Sequence, residues 1–534
     1  MGKRLARLDR LTRDGIAPLT PEMGTAALIR LLESNIRATS VVITSRIPSL
    51  PTLKIHKTAL RPSRFLERIL INYPEIEFVA EADLAIQKDL YLNDHKLDGV
   101  AIFPAALGLE AMTQAAIALF GGRLPTVLLD VQFAIPITVG EDKGTTIRIL
   151  TLRRNAQTAE IVIRSSQTDF QADHFRAICS IDPAGAAMST NINPAAGKLL
   201  QIPELYDTVL FQSGRFQIVS GYIEALAHRS CAVLSPTEQP WFSQFLPHSI
   251  SLINPSITDA AMHSIQACIP HRRLLPVSID RITTFPTANL GPPFRSIAIE
   301  ICAKGGDFVY DVEITDPFGN GIQRMDGLRL HSISENDPYM FRTPQLIANM
   351  LERRWCELSD DGAQVLLHEE PEGGRSFERL PGRRADGKPI HIENAAVRAW
   401  SDGILLQLLS SQDGACDIER VEHREPQMWR DLLGESLFQS AAFLAQRHAE
   451  EFDLAATRFW TVMECMKKLG RHSTGSVVSE QYTNDGWALS RCGDYIVGTV
   501  PIKVSGCHVV SAFAAKTKRP LLSESEVTHA FLHV

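Results

Sequence analysis

His95-Lys96-Leu97-Asp98-Gly99-Val100-Ala101-Ile102-Phe103-Pro104 runs directly into AALGLEAMTQAAIALF, residues 105–120. Glycine at position 99 permits a tight turn. Proline is tolerated in the first turn of a helix, where its missing N–H costs nothing, so Pro104 marks a helix start. The residues after it are apolar on nearly every side, which predicts a buried helix. His95 therefore sits in an ordered loop leading into a core, where an imidazole can face a cleft. A histidine there can equally cap or pack, and these residues alone leave both readings open.

Around this helix lie runs that read as strands: VLLDVQFAIPI (127–137), TTIRILTLRR (145–154), AEIVIRSS (159–166) and HFRAICSI (174–181). A polar, small-residue break, AAMSTNINPAAGKLL, covers 186–200. The layout then repeats. A helical segment, TDAAMHSIQACI (258–269), precedes the strand-like SIAIEICAK (296–304), FVYDVEITD (308–316) and QRMDGLRLH (323–331). The result is two successive α+β units, each one helix plus several antiparallel strands, with a repeat visible in layout and only slight in identity.

The whole chain has 534 residues, too many for one compact domain, with 45% apolar and 22% charged residues and a net charge of −7. That is an ordinary globular composition. An acidic balance argues against general nucleic-acid binding, and no apolar run reaches the length of a membrane span. The opening MGKRLARLDRLTRDG is basic without an apolar core, unlike a secretory leader. Nine scattered cysteines without a CxxC pair suit a reducing, cytoplasmic location.

In the second unit Asp259 and His263 stand four residues apart, on one face of the predicted helix. Asp259 is also suited to an ordinary first-turn carboxylate. Taken with His95, however, the patterns HxxxGxxxxP (His95, Gly99, Pro104) and DxxxH (Asp259, His263) resemble the dehydratase domain of type I polyketide synthases. Phe211-Gln-Ser-Gly214-Arg-Phe216 resembles that family's glycine-containing segment opening its second half, and Leu275-Pro276-Val-Ser its LP-containing strand. The resemblance spans roughly 60–335 and implies a double hotdog, split as 60–186 and 200–335, in which each long helix is wrapped by an antiparallel sheet.

It also implies chemistry. Loss of water from a 3-hydroxyacyl thioester needs a base at C2 and an acid at the C3 hydroxyl. His95 would be the base, since a neutral imidazole has a fitting pKa. Asp259 would be the acid, kept protonated by an apolar cleft that includes Ala260, Ala261, Met262 and Ile265. His263 would orient Asp259, and Gly99 and Pro104 would line the substrate site. No cofactor is implied for this reaction. The partners would be an acyl carrier protein bearing a phosphopantetheine-bound polyketide, and other synthase domains or subunits; a double hotdog could also pair as a homodimer.

Residues 336–375 read as a connecting helix (LIANMLERRW) and linker, and 376–534 as a third, α+β unit. In that unit Asp417 and Glu419 share a strand face. Trp460, Glu464 and Lys468 form one helix stripe. Three carboxylates on two elements could hold Mg²⁺ against a pyrophosphate; a solvated strand edge and an exposed Glu–Lys pair are the plainer alternative. These motifs resemble a 4′-phosphopantetheinyl transferase, with Met463 and Trp400 where the family has Lys and His. That implies Mg²⁺ on Asp417, Glu419 and Glu464, coenzyme A as donor, Glu464 assisting the carrier serine, and Lys468 offsetting charge on the departing nucleotide. The form ATRxWxxxECxxK (456–468) resembles the transferase at the end of enediyne-type iterative synthases. Residues 1–50 resemble the end of a polyketide ketoreductase, without its nucleotide loop or catalytic tyrosine. The rival to both activities is a degenerate, non-catalytic scaffold that only docks a carrier or partner.

Overall fold

The computed structural model describes residues 19–33, 41, 43, 63–182, 197–285, 291–337, 340–359, 362–369, 397–410, 413–471, 477–504 and 506–517. Most of residues 1–50, and the polar break at 186–196, lie outside the described residues. Helix α1 (Pro21–Glu33) leaves Leu28, Ile29 and Leu32 exposed.

The first half contains β1 (Arg68–Tyr73), β2 (Glu77–Leu84), the short hairpin β3 (Lys96–Leu97) and β4 (Val100–Ile102), α2 (Ala105–Leu119), β5 (Val127–Phe133), β6 (Thr138–Val139), β7 (Thr145–Arg153), β8 (Thr158–Ser165) and β9 (Phe175–Ser180). The second half contains β10 (Val219–Leu226), β11 (Arg229–Leu234), α3 (Pro255–His263), β12 (Arg272–Thr284), β13 (Phe294–Lys304), β14 (Asp307–Thr315) and β15 (Gly321–Glu335).

One twelve-stranded sheet carries both, in the order β1-β2-β7-β8-β9-β5-β12-β15-β14-β13-β11-β10. Counted from either outer edge towards the centre, and leaving out the short strands, the chain order of the strands is the same: first, second, fourth, fifth, sixth, third. The helix falls between second and third in both. The halves meet where β5 pairs antiparallel with β12, Val131 opposite Ile279 and Leu128 opposite Ile282.

Period-two burial explains the strands. Ile147, Ile149 and Thr151 of β7, and Ala159, Ile161 and Ile163 of β8, point inward while their neighbours face out. Helix α2 is buried from Ala106 to Ala116 without a break. Its large side chains Leu107, Leu109 and Met112 are fully enclosed, each stabilising the fold by about 1.5–3 kcal/mol relative to exposure.

Beyond β15, helix α4 (Pro344–Ser359) sits inside the protein. Asn349 Nδ2 donates to the carbonyls of Ala225 (3.1 Å) and Ala267 (2.8 Å), and Arg353 Nε to that of Cys268 (2.8 Å). Arg353 also pairs with Glu300 beneath Tyr310. Trp355, on the same helix, stacks on Trp487 and packs at a tilt against Phe513 of the C-terminal unit. The segment 336–375 thus contains a buried joint rather than only a tether; its residues from 370 on are outside the described ones.

The C-terminal unit has a three-stranded sheet of β16 (Gln364–Glu369), β17 (Val397–Ser401) and β18 (Ile404–Leu409). A five-stranded sheet holds β19 (Gly414–Arg420), β20 (Val478–Tyr482), β21 (Ala488–Cys492), β22 (Tyr495–Val504) and β23 (Cys507–Lys516), with β19 on β23 at one edge. Helices α5 (Pro426–His448) and α6 (Phe452–Lys468) pack on each other through Phe438, Ala441 and Phe459. Among the described residues no helix is long and apolar enough to cross a membrane.

Candidate active site

The β3–β4 hairpin turns on Asp98 and Gly99, with φ of 49° and 83°. Two consecutive left-handed residues make the hairpin turn whose twist matches its strands, which is why a glycine stands there. The hairpin brings His95 beside Ile102, whose carbonyl lies 2.9 Å from His95 Nδ1. A carbonyl only accepts, so Nδ1 carries the ring proton and Nε2 is left as a free basic nitrogen. Pro104 immediately precedes α2 with φ −64°.

Neither Gly99 nor Pro104 lines the cleft. Both were expected there as substrate-binding residues; they act instead by shaping the backbone that aims the imidazole.

The His95 ring packs against Phe211 and Phe216 of the second half, with centroids 5.0 and 5.2 Å away. Asp94 ties the same loops together: its carbonyl accepts from Ser213 N–H at 2.8 Å, and its carboxylate pairs with Arg215. Gly214, with φ 48°, approaches that carboxylate so closely that a Cβ would collide with it.

Helix α3 starts at Pro255, capped by Asn254, which accepts from Ser256 N–H at 3.0 Å. Asp259 is therefore not the cap or first-turn residue that its surroundings suggested. Its carboxyl is free to point into the protein. There Oδ1 faces His95 Nε2 at 3.8 Å, and Oδ2 meets His263 Nδ1 at 3.0 Å. Burial pushes the His95 imidazole below its ordinary pKa, partly offset by the Asp259 carboxylate, so the ring is neutral at neutral pH.

The three side chains stand at the wall of a cleft of about 720 Å³, open mouth included. Its other walls are mostly apolar: Phe133 and Phe175 from the first half, and Phe211, Met262, Leu274 and Leu330 from the second. Among the described residues, the ionisable groups lining it are the two histidines and the aspartate.

Two residues near this group were not among the expected site residues. Tyr206 Oη lies 3.3 Å from His263 Nε2. Gln212 bridges His95 through the backbone and shows a buried Oε1 without a partner to the cleft. Both follow the break between the halves; Gln212 lies inside the quoted glycine segment and Tyr206 just before it.

In the C-terminal unit β19 and α6 do bring Asp417, Glu419 and Lys468 together. Lys468 Nζ lies 2.8 Å from Asp417 Oδ1 and 2.8 Å from the Cys416 carbonyl. Burial and the charge of Asp417 push Glu419 up to about 7. Glu464 is near enough for its charge to raise Asp417 and Glu419, but its own carboxylate pairs with Lys467, 2.6 Å away. Met463 packs against the α5–α6 core, and Trp400 is about half exposed on β17.

Mg²⁺ requires a near-octahedral oxygen shell. Here an ammonium occupies one Asp417 oxygen and only Oδ2 is unpartnered. Among the described residues no three His, Cys, Asp or Glu side chains are grouped to hold a metal ion. The Mg²⁺ set expected at Asp417, Glu419 and Glu464 does not fit this arrangement.

Comparison with known proteins bears on the first 340 residues. Residues 71–166 match the family described as polyketide synthase dehydratase domain, and residues 184–338 that described as polyketide synthase dehydratase N-terminal domain. Three solved structures illustrate the likeness. The dehydratase domain from the CurF module of curacin polyketide synthase is 18% identical, with 52% of this chain and 100% of that one covered and a TM-score of 0.43. The dehydratase domain of a mycocerosic acid synthase-like synthase is 17% identical over 52% and 98%, with a TM-score of 0.42. The dehydratase domain of PpsC from Mycobacterium tuberculosis, in complex with C12:1-CoA, is 18% identical over 48% and 94%, with a TM-score of 0.40. No curated protein matches. His95 lies inside one matched stretch and Asp259 inside the other, so both halves of the region from residue 71 to residue 338 are similar to polyketide synthase dehydratase domains.

Proposed function

We propose that this domain converts a 3-hydroxyacyl thioester, held on the phosphopantetheine arm of an acyl carrier protein, into the 2-enoyl thioester and water. The observation that carries the reading is the free Nε2 of His95 facing Asp259 Oδ1 at 3.8 Å across an apolar cleft. His95 Nε2 takes the proton from C2, and the C2 electron pair forms the new double bond. The C3–O bond breaks, and Asp259 protonates the departing hydroxyl. A thioester placed between the two groups is acted on from both sides without a cofactor.

The test is the full chain with a 3-hydroxyacyl carrier thioester, followed by mass for loss of one water. The acid limb of kcat/KM is expected below the ordinary imidazole value of about 6.5, because burial lowers His95. Stability has the same sign. The unfolded histidine takes its proton near the ordinary value and the folded one lower, so the fold loses stability as pH drops below about 6.5. An acid limb at or above that value would remove His95 as the base.

For residues 397–517 the Lys468–Asp417 contact favours the docking reading over carrier priming. Labelled coenzyme A with an apo carrier protein is expected to leave the carrier unlabelled, with or without Mg²⁺. Label that requires Mg²⁺ and disappears in Glu464→Ala would restore the transferase. The enediyne-type setting, and the ketoreductase origin of residues 1–50, rest on sequence resemblance alone.

A further inference from the structure

The two oxygens of Asp259 keep different company. Oδ1 faces His95 and the cleft, and Oδ2 meets His263 Nδ1 at 3.0 Å. An acid that protonates a hydroxyl in the cleft must carry its proton on Oδ1. The Oδ2 contact must then be filled from the imidazole side, by Nδ1–H. A neutral imidazole has one ring proton, so Nε2 is bare and needs a donor of its own.

Tyr206 stands at that position. Its oxygen accepts from Val219 N–H at 2.9 Å, which fixes the phenol in place. Its proton has two acceptors in reach: His263 Nε2 at 3.3 Å and the Phe216 carbonyl at 3.2 Å. The Phe216 carbonyl already accepts from Ile218 N–H at 2.9 Å, so it does not depend on the phenol. Burial holds the Tyr206 hydroxyl well above its ordinary pKa, so it keeps its proton throughout the neutral range. The titratable groups facing His263 are Asp259, His95 and Tyr206.

Were Tyr206 to donate to Phe216 instead, His263 would offer Nε2–H to the phenol. Its bare Nδ1 would then draw the carboxyl proton onto Oδ2, away from the cleft. We propose that Tyr206 is a positioning residue that donates to His263 Nε2, selects the Nδ1–H tautomer, and so leaves the acid proton of Asp259 on Oδ1. The proposal rests on the dehydratase reading for its consequence in catalysis, but not for the tautomer itself.

Tyr206→Phe is expected to lower kcat about 10–10²-fold with KM nearly unchanged, less than the about 10⁴-fold lost when a serine-protease triad loses the carboxylate that sets its tautomer. His263→Gln supplies an amide donor that has no tautomers, so adding Tyr206→Phe to that variant is expected to change kcat little. An equal loss in both backgrounds would show that the phenol only holds the loop, and would overturn the proposal.

Independently of turnover, ¹⁵N shifts of the His263 ring in the full chain are expected to show a protonated Nδ1 and a bare Nε2. The opposite assignment overturns the proposal whatever the activity. The expected tautomer in a chain that does not dehydrate would leave the tautomer assignment standing and end the dehydratase reading.

Discussion

His95→Ala is expected to lower dehydration of a 3-hydroxyacyl thioester by about 10²–10⁴-fold, the range in which a positioned general base contributes. The size follows from how little else in the cleft can take its place. His95 Nδ1 is committed to the Ile102 carbonyl, so the base is the single nitrogen Nε2. His263 Nδ1 is engaged by Asp259 and its Nε2 lies against Tyr206. The remaining walls are chiefly aromatic and aliphatic. Asp259→Asn should lose a comparable factor for the complementary reason, since an amide fills the same space and can still meet His263 but gives up no proton to a leaving hydroxyl. Both rates are measured as enoyl product from a carrier-bound substrate, with thermal unfolding as the control for folding. A His95→Ala chain that dehydrates within about threefold of the native rate would show that another group takes the C2 proton.

The largest structural effect is expected at Trp355. Trp355→Ala should cost about 3–5 kcal/mol, the usual loss for removing a large aromatic ring from a core. The side chain is fully buried, with Trp487 at 6.4 Å and an interplanar angle of 18°, and with Phe513 at 5.8 Å. Its indole nitrogen has no hydrogen-bond partner, so the entire loss is one of packing. The neighbouring Gly498 is pressed so close that a Cβ would lie 2.8 Å from the indole ring, which leaves little freedom for the surroundings to collapse into the cavity. Because Asn349 and Arg353 anchor the same helix in the second hotdog half, the missing ring should also loosen the joint between dehydratase and C-terminal unit. Denaturant unfolding is expected to change from one transition to two. A loss under about 1 kcal/mol, with a single transition retained, would mean that α4 does not couple the two units.

Particular residues show how far the sequence reaches. Helix α2 was legible because apolar side chains surround it, and β7 and β8 because their burial alternates. Strand β2 was not: its buried run Phe78-Val79-Ala80 breaks the period of two. Strand β10 is interrupted by Gly221 and shifts register there, which erases the same signal. His95, Asp259 and His263 were singled out by the resemblance of HxxxGxxxxP and DxxxH to a known family, and the structure places the three side chains together. Tyr206 was hidden because its contact with His263 joins two segments far apart in the chain. Gly99 and Pro104 belong to the pattern for their backbone geometry, and no spacing separates that from a place in the cleft. In α6 the spacing placed Glu464 and Lys468 on one stripe, but not their partners: Lys468 reached Asp417, while Glu464 settled on Lys467.

The antiparallel β5–β12 seam has one more consequence. Two identical units joined at such a seam would be related by a twofold axis, and every feature between them would occur twice: two clefts, two bases, two acids. Joining the units in one chain releases each from copying the other. On α2, Glu110 occupies nearly the helical position that Asp259 holds on α3, yet its carboxylate accepts from the backbone N–H groups of Ser251 (2.8 Å) and Leu252 (2.9 Å). One half turns its acid towards the cleft, while the other uses its acid to pin its neighbour's loop. The symmetry of the strand order is thus broken at the seam, where His95 of one half faces Asp259 of the other and Glu110 has no matching role.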